Sequence, residues 1–271
     1  MKKGILILLI IVGLLILFLV VSNVMASMAP IARLIVNQGT VQVDKGMGFM
    51  EAKSGMAMKE GYAVKTLAGS KATIIFLESS VLRLNENTEI KIQRVNSTSV
   101  SVSQKAGDTW TKLLKVSGIS DYEIETPNAV ASVRGTAFSV SVGNGTEIGV
   151  LEGTVQTTAG SATINVTANY SVFISDNESE LLEAVLLIRN QWINDNDFAD
   201  KEFIKAVKAR LKSKYSLQIM AAKIAMKAND DDVNKQIDDF VEGRLSIKKS
   251  IEEGKIPGAL LPLIPKELSR A

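Results

Sequence analysis

The sequence predicts a mainly β chain with a membrane helix before the β region and an α-helical region after it. Three observations predict it. Seventeen residues near the N-terminus, Ile5–Val21, carry no charge, and none follows until Arg33. From Ile31 to about Ser175 the chain is rich in Val, Ile, Thr, Ser and Gly, and apolar residues repeatedly alternate with polar ones. Beyond Asp176 glycine becomes scarce, charge rises, and apolar residues recur at helical spacing. The expected division is an anchor over 1–28, an all-β domain over 29–176, and an α-helical region with a Pro-rich end over 177–271.

A helix of 17 residues rises about 26 Å, close to a hydrocarbon core of about 30 Å. Lys2 and Lys3 precede the run and favour the cytoplasm, so the body is expected outside, in a single-pass protein. A signal peptide cleaved near Val24–Ser27 is the alternative; the apolar run is longer than an ordinary signal core. Either way the body lies outside the cytoplasm.

Composition removes many functions. The chain of 271 residues has no cysteine and no histidine. Disulfides, thiolate metal sites, cysteine nucleophiles and histidine-based triads are therefore excluded. A formal charge of +2 does not suggest a nucleic-acid partner. No paired carboxylates or nucleophile–base spacing stands out, so neither an enzyme nor a cofactor is expected.

Within the β region, Leu82-Arg-Leu84, Ile90-Lys-Ile92, Ser99–Ser103, Tyr122-Glu-Ile124 and Ile164-Asn-Val166 each place apolar side chains on one face. "GTVQVDKG" from Gly39 is echoed by "GTVQTTAG" from Gly153, and Gly61 and Gly107 stand between them at strand mouths. The steps approximate one and two units of about 23 residues, a period that predicts stacked β coils.

Beyond Asp176, Leu181, Val185, Ile188 and Trp192 form an apolar stripe that predicts a helix. Asp197 or Asp200 is a candidate cap for a second helix bearing Phe203, Val207 and Leu211. Leu217, Met220 and Ile224 predict a third, and Val233, Ile237, Val241 and Leu245 a fourth, with Asp230–Asp232 at its start. Lys255–Leu268 reads as extended and docked.

Residues Asn37 to Gln156 resemble a FecR domain, the extracytoplasmic module of ferric-citrate-type membrane regulators. The blocks that carry the resemblance occur in order: Gly39–Val43; Gly61 to Phe76 with Val64, Thr66, Ser70, Ala72 and Ile74; Ser80-Val-Leu82-Arg83-Leu84 with Thr88; Thr126-Pro127, Ala129, Val133-Arg134-Gly135-Thr136, Phe138 and Val140; and Val150-Leu-Glu152-Gly153-Thr-Val155. The resemblance implies a β-solenoid-like fold and a role in signalling across an envelope. Family members bind a sigma factor through a cytoplasmic domain; only Met1–Gly4 precede the apolar run here, so no sigma factor is expected.

The signature residues Thr126, Pro127, Arg134, Gly135, Thr136, Phe138, Glu152 and Gly153 are read as structural. Ala129, Ala131 and Val133 share one parity, whereas Phe138, Val140 and Val142 share the other. The inward register therefore slips across Arg134-Gly135-Thr136, as at a bulge or corner. Asp108, Glu125 and Glu152 are candidate partners for Arg134, and Arg134→Ala is expected to lower stability.

Five N-x-[ST] tripeptides, at Asn96, Asn144, Asn165, Asn169 and Asn177, are candidate glycosylation sites on the exterior. Asp195, Asp197, Asp200 and Glu202 lack calcium-loop spacing and read as a solvated helix start, as do Asp230–Asp232. The lysines between Lys205 and Lys214 read as a solvated helix face, and Trp110 and Trp192 as packing residues. The function expected is membrane-anchored binding or signalling through an envelope protein partner. The alternative is a structural or adhesive surface protein.

Overall fold

In the computed structural model the described residues are 31–133, 135–175, 183–226 and 229–253. The period-two alternation is realised as seventeen strands in two ladders. The first ladder, sheet A, runs in the order β4 (Ala57–Met58), β1 (Ala32–Gln38), β6 (Lys71–Phe76), β7 (Ser80–Leu84), the second half of β9 (Ser99–Leu113), β12 (Ala137–Val142), β13 (Gly145–Glu152), β16 (Tyr170–Ser175) and β17 (Val185–Leu186). Sheet B runs β3 (Phe49–Glu51), β2 (Val41–Asp44), β5 (Ala63–Thr66), β8 (Glu89–Val95), the first half of β9, β10 (Asp121–Glu125), β11 (Val130–Val133), β14 (Thr154–Ala159) and β15 (Ala162–Thr167). The long strand β9 belongs to both and joins them.

One apolar core receives the inward faces of both ladders. Leu34, Ile74, Leu82, Phe138, Ile148 and Val172 come from sheet A; Val43, Val64, Ile92, Val102, Ile124 and Val155 come from sheet B. Tyr122 lies between Phe76 and Phe138, meeting both rings edge to face with centroids 6.3 and 6.4 Å away. Such pairs add about 0.5–1.5 kcal/mol beyond area burial.

The stacked-coil expectation takes a different form here. A coil stack pairs successive turns in parallel, but among the described pairings only β9–β10 is parallel. Hairpins alternate between the two sheets instead. Each passage from one sheet to the other carries a residue of left-handed backbone: Gly39, Gly55, Gly61, Gly69, Asn87, Gly107, Gly118, Gly135, Gly153 or Asn169. The echoing glycines 39, 61, 107 and 153 thus mark crossings. At Gly107, where β9 bends between sheets, φ is +84° and an added Cβ would lie 2.5 Å from the Thr88 Cα. Only glycine fits that approach.

The helical region also departs from expectation. Val185 and Leu186 form a strand on the β16 edge, not the start of a helix. Leu187 then packs with Trp110, Ala137 and Leu151. The first helix, α1, spans Gln191–Lys214 and is capped by Asn190, whose side chain accepts from the Ile193 N–H. Asp197 and Asp200 are interior residues of α1 instead of caps, because no chain break precedes them. Then follow α2 (Ser216–Met226), α3 (Asp230–Val241) and α4 (Ile247–Glu252). Asn229 and Asp232 close a reciprocal capping box on α3, which fits the expected break there. The described residues belong to one compact unit. The apolar run Ile5–Val21 and the tail Lys255–Leu268 lie outside the described residues. No described helix is long and apolar enough to cross a membrane.

Candidate functional site

The two ladders present very different outer faces. On sheet A, cross-strand pairing builds a row Thr73–Arg83–Trp110–Ser139–Gly149–Ser171 that points away from the core. Helix α1 covers this row. Ile193 packs with Trp110, Ala137 and Leu151, and farther along Phe203, Ile204, Val207 and Leu211 pack with Leu114, Val116, Ile237 and Val241. Helical periodicity and outward strand residues here make one seam.

A polar cluster is buried in that seam. Asp200 Oδ1 accepts from Arg83 Nη1 at 2.5 Å, and its Oδ2 accepts from Trp110 Nε1 at 3.0 Å. Asn196 Oδ1 lies 3.4 Å from the same Arg83 nitrogen, and Asn196 Nδ2 donates to the Trp192 carbonyl. Burial pushes the Asp200 carboxyl above the usual range, against the opposing pull of Arg83, Trp110 and Lys112. A second link lies at the β6–β7 turn, where Arg210 donates to the Glu78 carbonyl at 2.6 Å. Arg83 belongs to the Ser80–Leu84 block; here it is spent on holding α1. Chemically the cluster is a latch between α1 and sheet A.

Sheet B has a different outer face. Arg94, Ser101, Glu123, Ser132, Gln156 and Asn165 line up across its strands, and Gln42, Lys65 and Glu89 form a second row. Arg94 pairs with Asp121 and Glu123, while Glu89 lies between Lys65 and Lys105. Burial raises the Glu89 carboxyl, but Lys105 and Lys65 outweigh it and hold the group below its ordinary value. No described helix packs on this face. Its described cross-strand rows are polar.

Four of the signature residues, Gly135, Thr136, Glu152 and Gly153, meet at one corner, whereas Thr126 and Pro127 lie at the opposite end of β10 and β11, beside Thr146. Thr126 Oγ1 accepts from the Ala129 N–H and donates to the Ala129 carbonyl, closing the turn at exposed Pro127. Gly135 and Gly153 have φ of +68° and +81°, and a Cβ on Gly153 would lie 2.7 Å from Thr136 Cγ2. Two separate sequence blocks therefore pack backbone to backbone. Glu152 pairs with Lys112 beside them, and Phe138 fills the core next to Tyr122. Arg134 lies outside the described residues. Of its three candidate partners, Asp108 accepts from Ser141 and Asn85, and Glu125 accepts from Gln93.

The other residues singled out do not converge. Asn96 is exposed in the β8–β9 turn and Asn144 in the β12–β13 turn. Asn165 is exposed on β15, and Asn169 follows that strand with φ of +68°. Asn177 lies outside the described residues. Asp197 pairs with Arg189, Asp200 turns to the sheet, and Asp195 and Glu202 face solvent. Among the described residues no three potential metal ligands cluster. Lys208 is taken by Asp238 and Glu242. Helix formation by Gln191–Lys214 explains this scatter, since it spreads nearby sequence positions around its circumference.

The family model described as FecR protein matches residues 62–156. No curated protein matches the chain. Two crystal structures of a candidate anti-sigma factor from Parabacteroides distasonis, at 1.65 and 2.50 Å resolution, are similar to it. Each has 16% sequence identity and a TM-score of 0.41, over 46% of this chain and 59% of theirs. The chain thus spans less than two thirds of the length of those structures. The family match runs from the threshold of β5 into β14, without the Gly39–Val43 block, and takes in the Arg83 block, the signature corner and the joining strand β9. Residues 62–156 of this chain are a FecR domain.

Proposed function

We propose that the chain is a membrane-anchored, extracytoplasmic FecR-domain protein that acts as a non-catalytic binding and signalling module in the cell envelope. The FecR match over residues 62–156 carries this reading, since it supports a signalling role for the β domain that contains it. The uncharged run Ile5–Val21 behind Lys2 and Lys3 supports the anchor and its direction. The polar outer face of sheet B supports the mode of action. Helix α1 already occupies the outer face of sheet A, so sheet B is the surface left for a protein partner. Cross-strand rows of Gln, Ser, Lys and Glu suit a hydrogen-bonded interface better than an obligate apolar one.

The test is photo-crosslinking in intact cells from positions Gln156 and Lys91 on the sheet B face. One discrete heterologous adduct is the expected result. No adduct from either position refutes the binding reading, and ladders of self-adducts favour a structural surface protein.

A further inference from the structure

We infer that β15 is a dimerisation edge, which pairs antiparallel with β15 of a second copy of this chain and sets Asn165 on the twofold axis. The inference goes beyond the function proposed above and does not depend on the anchor.

β15 ends sheet B, and among the described residues its ladder partner is β14 alone. An edge strand invites pairing unless it is short, charged or covered. The other described sheet ends obey that rule. β3 has three residues and ends on Glu51, with Lys53 close behind; β4 and β17 have two each, and Lys59 and Arg189 follow them. β15 has six residues, and no charge occurs anywhere between Glu152 and Asp176. Its Thr, Ile and Val side chains favour extended backbone.

The backbone of this edge is open in a definite pattern. The two-residue turn Gly160-Ser161 closes on the pair Ala159–Ala162. Ladder bonds alternate outward from such a closing pair. Ala162, Ile164 and Val166 therefore bond to β14, while the N–H and C=O groups of Thr163, Asn165 and Thr167 point away from it. The side chains of those three residues are exposed.

The strand itself selects the occupant. Thr163-Ile164-Asn165-Val166-Thr167 reads the same in both directions, apart from one β-branched aliphatic residue standing for another. Antiparallel pairing about Asn165 sets Asn165 against Asn165, Thr163 against Thr167 and Ile164 against Val166. Every outward pair is then polar and every inward pair apolar, so the alternation that serves the core continues across the seam. A slip of one residue would set Asn165 against Val166 and break both matches. That symmetry fits a second copy of the same strand. The twofold pair closes on itself and builds no lattice. A six-residue seam is smaller than the about 1,200 Å² of a stable interface, so the pair forms reversibly with concentration.

The native chain has no cysteine, so single cysteines report cleanly. The full chain is held in detergent and oxidised with copper phenanthroline. Across the seam two Asn165 Cα atoms lie about 5.5 Å apart, within disulfide reach. Two Gln156 positions, one strand further in on each copy, are about 14 Å apart. Asn165→Cys should therefore give a linked dimer several-fold more readily than Gln156→Cys, at an equally exposed site. Mixing Thr163→Cys with Thr167→Cys tests the register: the mixture should link, and neither variant should link alone. Melting transitions of the variants are checked first. Hydrogen exchange on the native chain needs no substitution, and the β15 amides should exchange faster on dilution. Equal linkage at 165 and 156 marks random collision and overturns the seam. Linkage at 165 without linkage in the mixture overturns the twofold register. Slow exchange at every dilution without linkage marks a cover from the same chain and overturns it too. A glycan on Asn165 in protein from the native host would crowd the axis, and finding one also overturns the pairing.

Discussion

Truncating Asp200 to alanine tests whether the seam between α1 and sheet A is a latch. The substitution removes both acceptor oxygens at once. Arg83, whose side chain is 14% exposed, keeps only the 3.4 Å contact to Asn196. Trp110 Nε1–H, on a fully buried side chain, loses its partner. Breaking a buried ion pair from one side costs about 3–5 kcal/mol, because the remaining charge stays desolvated. An orphaned buried donor costs about 1–3 kcal/mol. The two penalties share one relaxation, so they are not summed, and about 3–5 kcal/mol is expected for Asp200→Ala. For a folded body of this size that lowers the melting midpoint by about 6–20 °C. Replacing both charges, Arg83→Met with Asp200→Leu, removes the stranded charge, leaves the Trp110 N–H and the Asn196 Oδ1 without these partners, and should recover part of the loss. Circular dichroism melts give the energies, and limited proteolysis shows whether α1 is cut before the sheets. A loss under about 1 kcal/mol for Asp200→Ala, or a double variant as unstable as the single one, refutes the latch.

The remaining predictions concern the crossings, the charges and the surface. Gly107→Ala should cost more than about 3 kcal/mol, since the added Cβ meets the Thr88 and Asn87 backbone at 2.5 and 2.7 Å. Gly135→Ala should cost only about 1–2 kcal/mol, because the flexible Lys115 chain gives way and backbone strain alone remains; urea unfolding ranks the two, and a reversed order counts against the crossing argument. Glu89 is held below its ordinary value in the fold, so its contribution is present above the unfolded carboxylate pKa and disappears as pH falls through the lower folded one. Comparing melts of the native chain with Glu89→Gln should show a gap of about 0.5–1 kcal/mol at neutral pH that closes in acid, and a gap independent of pH contradicts the pairing. Asn96 and Asn144 are exposed in turns; in protein from the native host, Asn96→Gln and Asn144→Gln should each remove one glycan from the intact mass. Unchanged masses show that neither site is used.

How much of this was legible in the sequence depends on whether a pattern is local. Alternation from Leu82 to Leu84 or Ile90 to Ile92 is local, and it placed inward residues in the core. The glycines at 39, 61, 107 and 153 were legible as punctuation, because left-handed backbone demands them. Their spacing was misread as a coil period, since alternation by two is the same in parallel and antiparallel ladders. The stripe Leu181–Trp192 misled for a related reason. Val185, Ile188 and Trp192 satisfy a helical count, yet the β16 edge takes Val185 and Leu186 as strand and Leu187 packs against Gly149. A tertiary partner outweighed local spacing. Asp200 shows the same limit most plainly. As a polar residue before an apolar helix it looked like a cap. Its partners are 90 residues away in one case and 117 in the other, and nothing within its own neighbourhood signals them. The available clue lay on the strands, where Arg83 and Trp110 occupy outward positions opposite each other. A large apolar ring and a cation on the outside of a sheet require a cover. The interior acid of α1, Asp200, meets both demands at once and joins the β domain to its helical region.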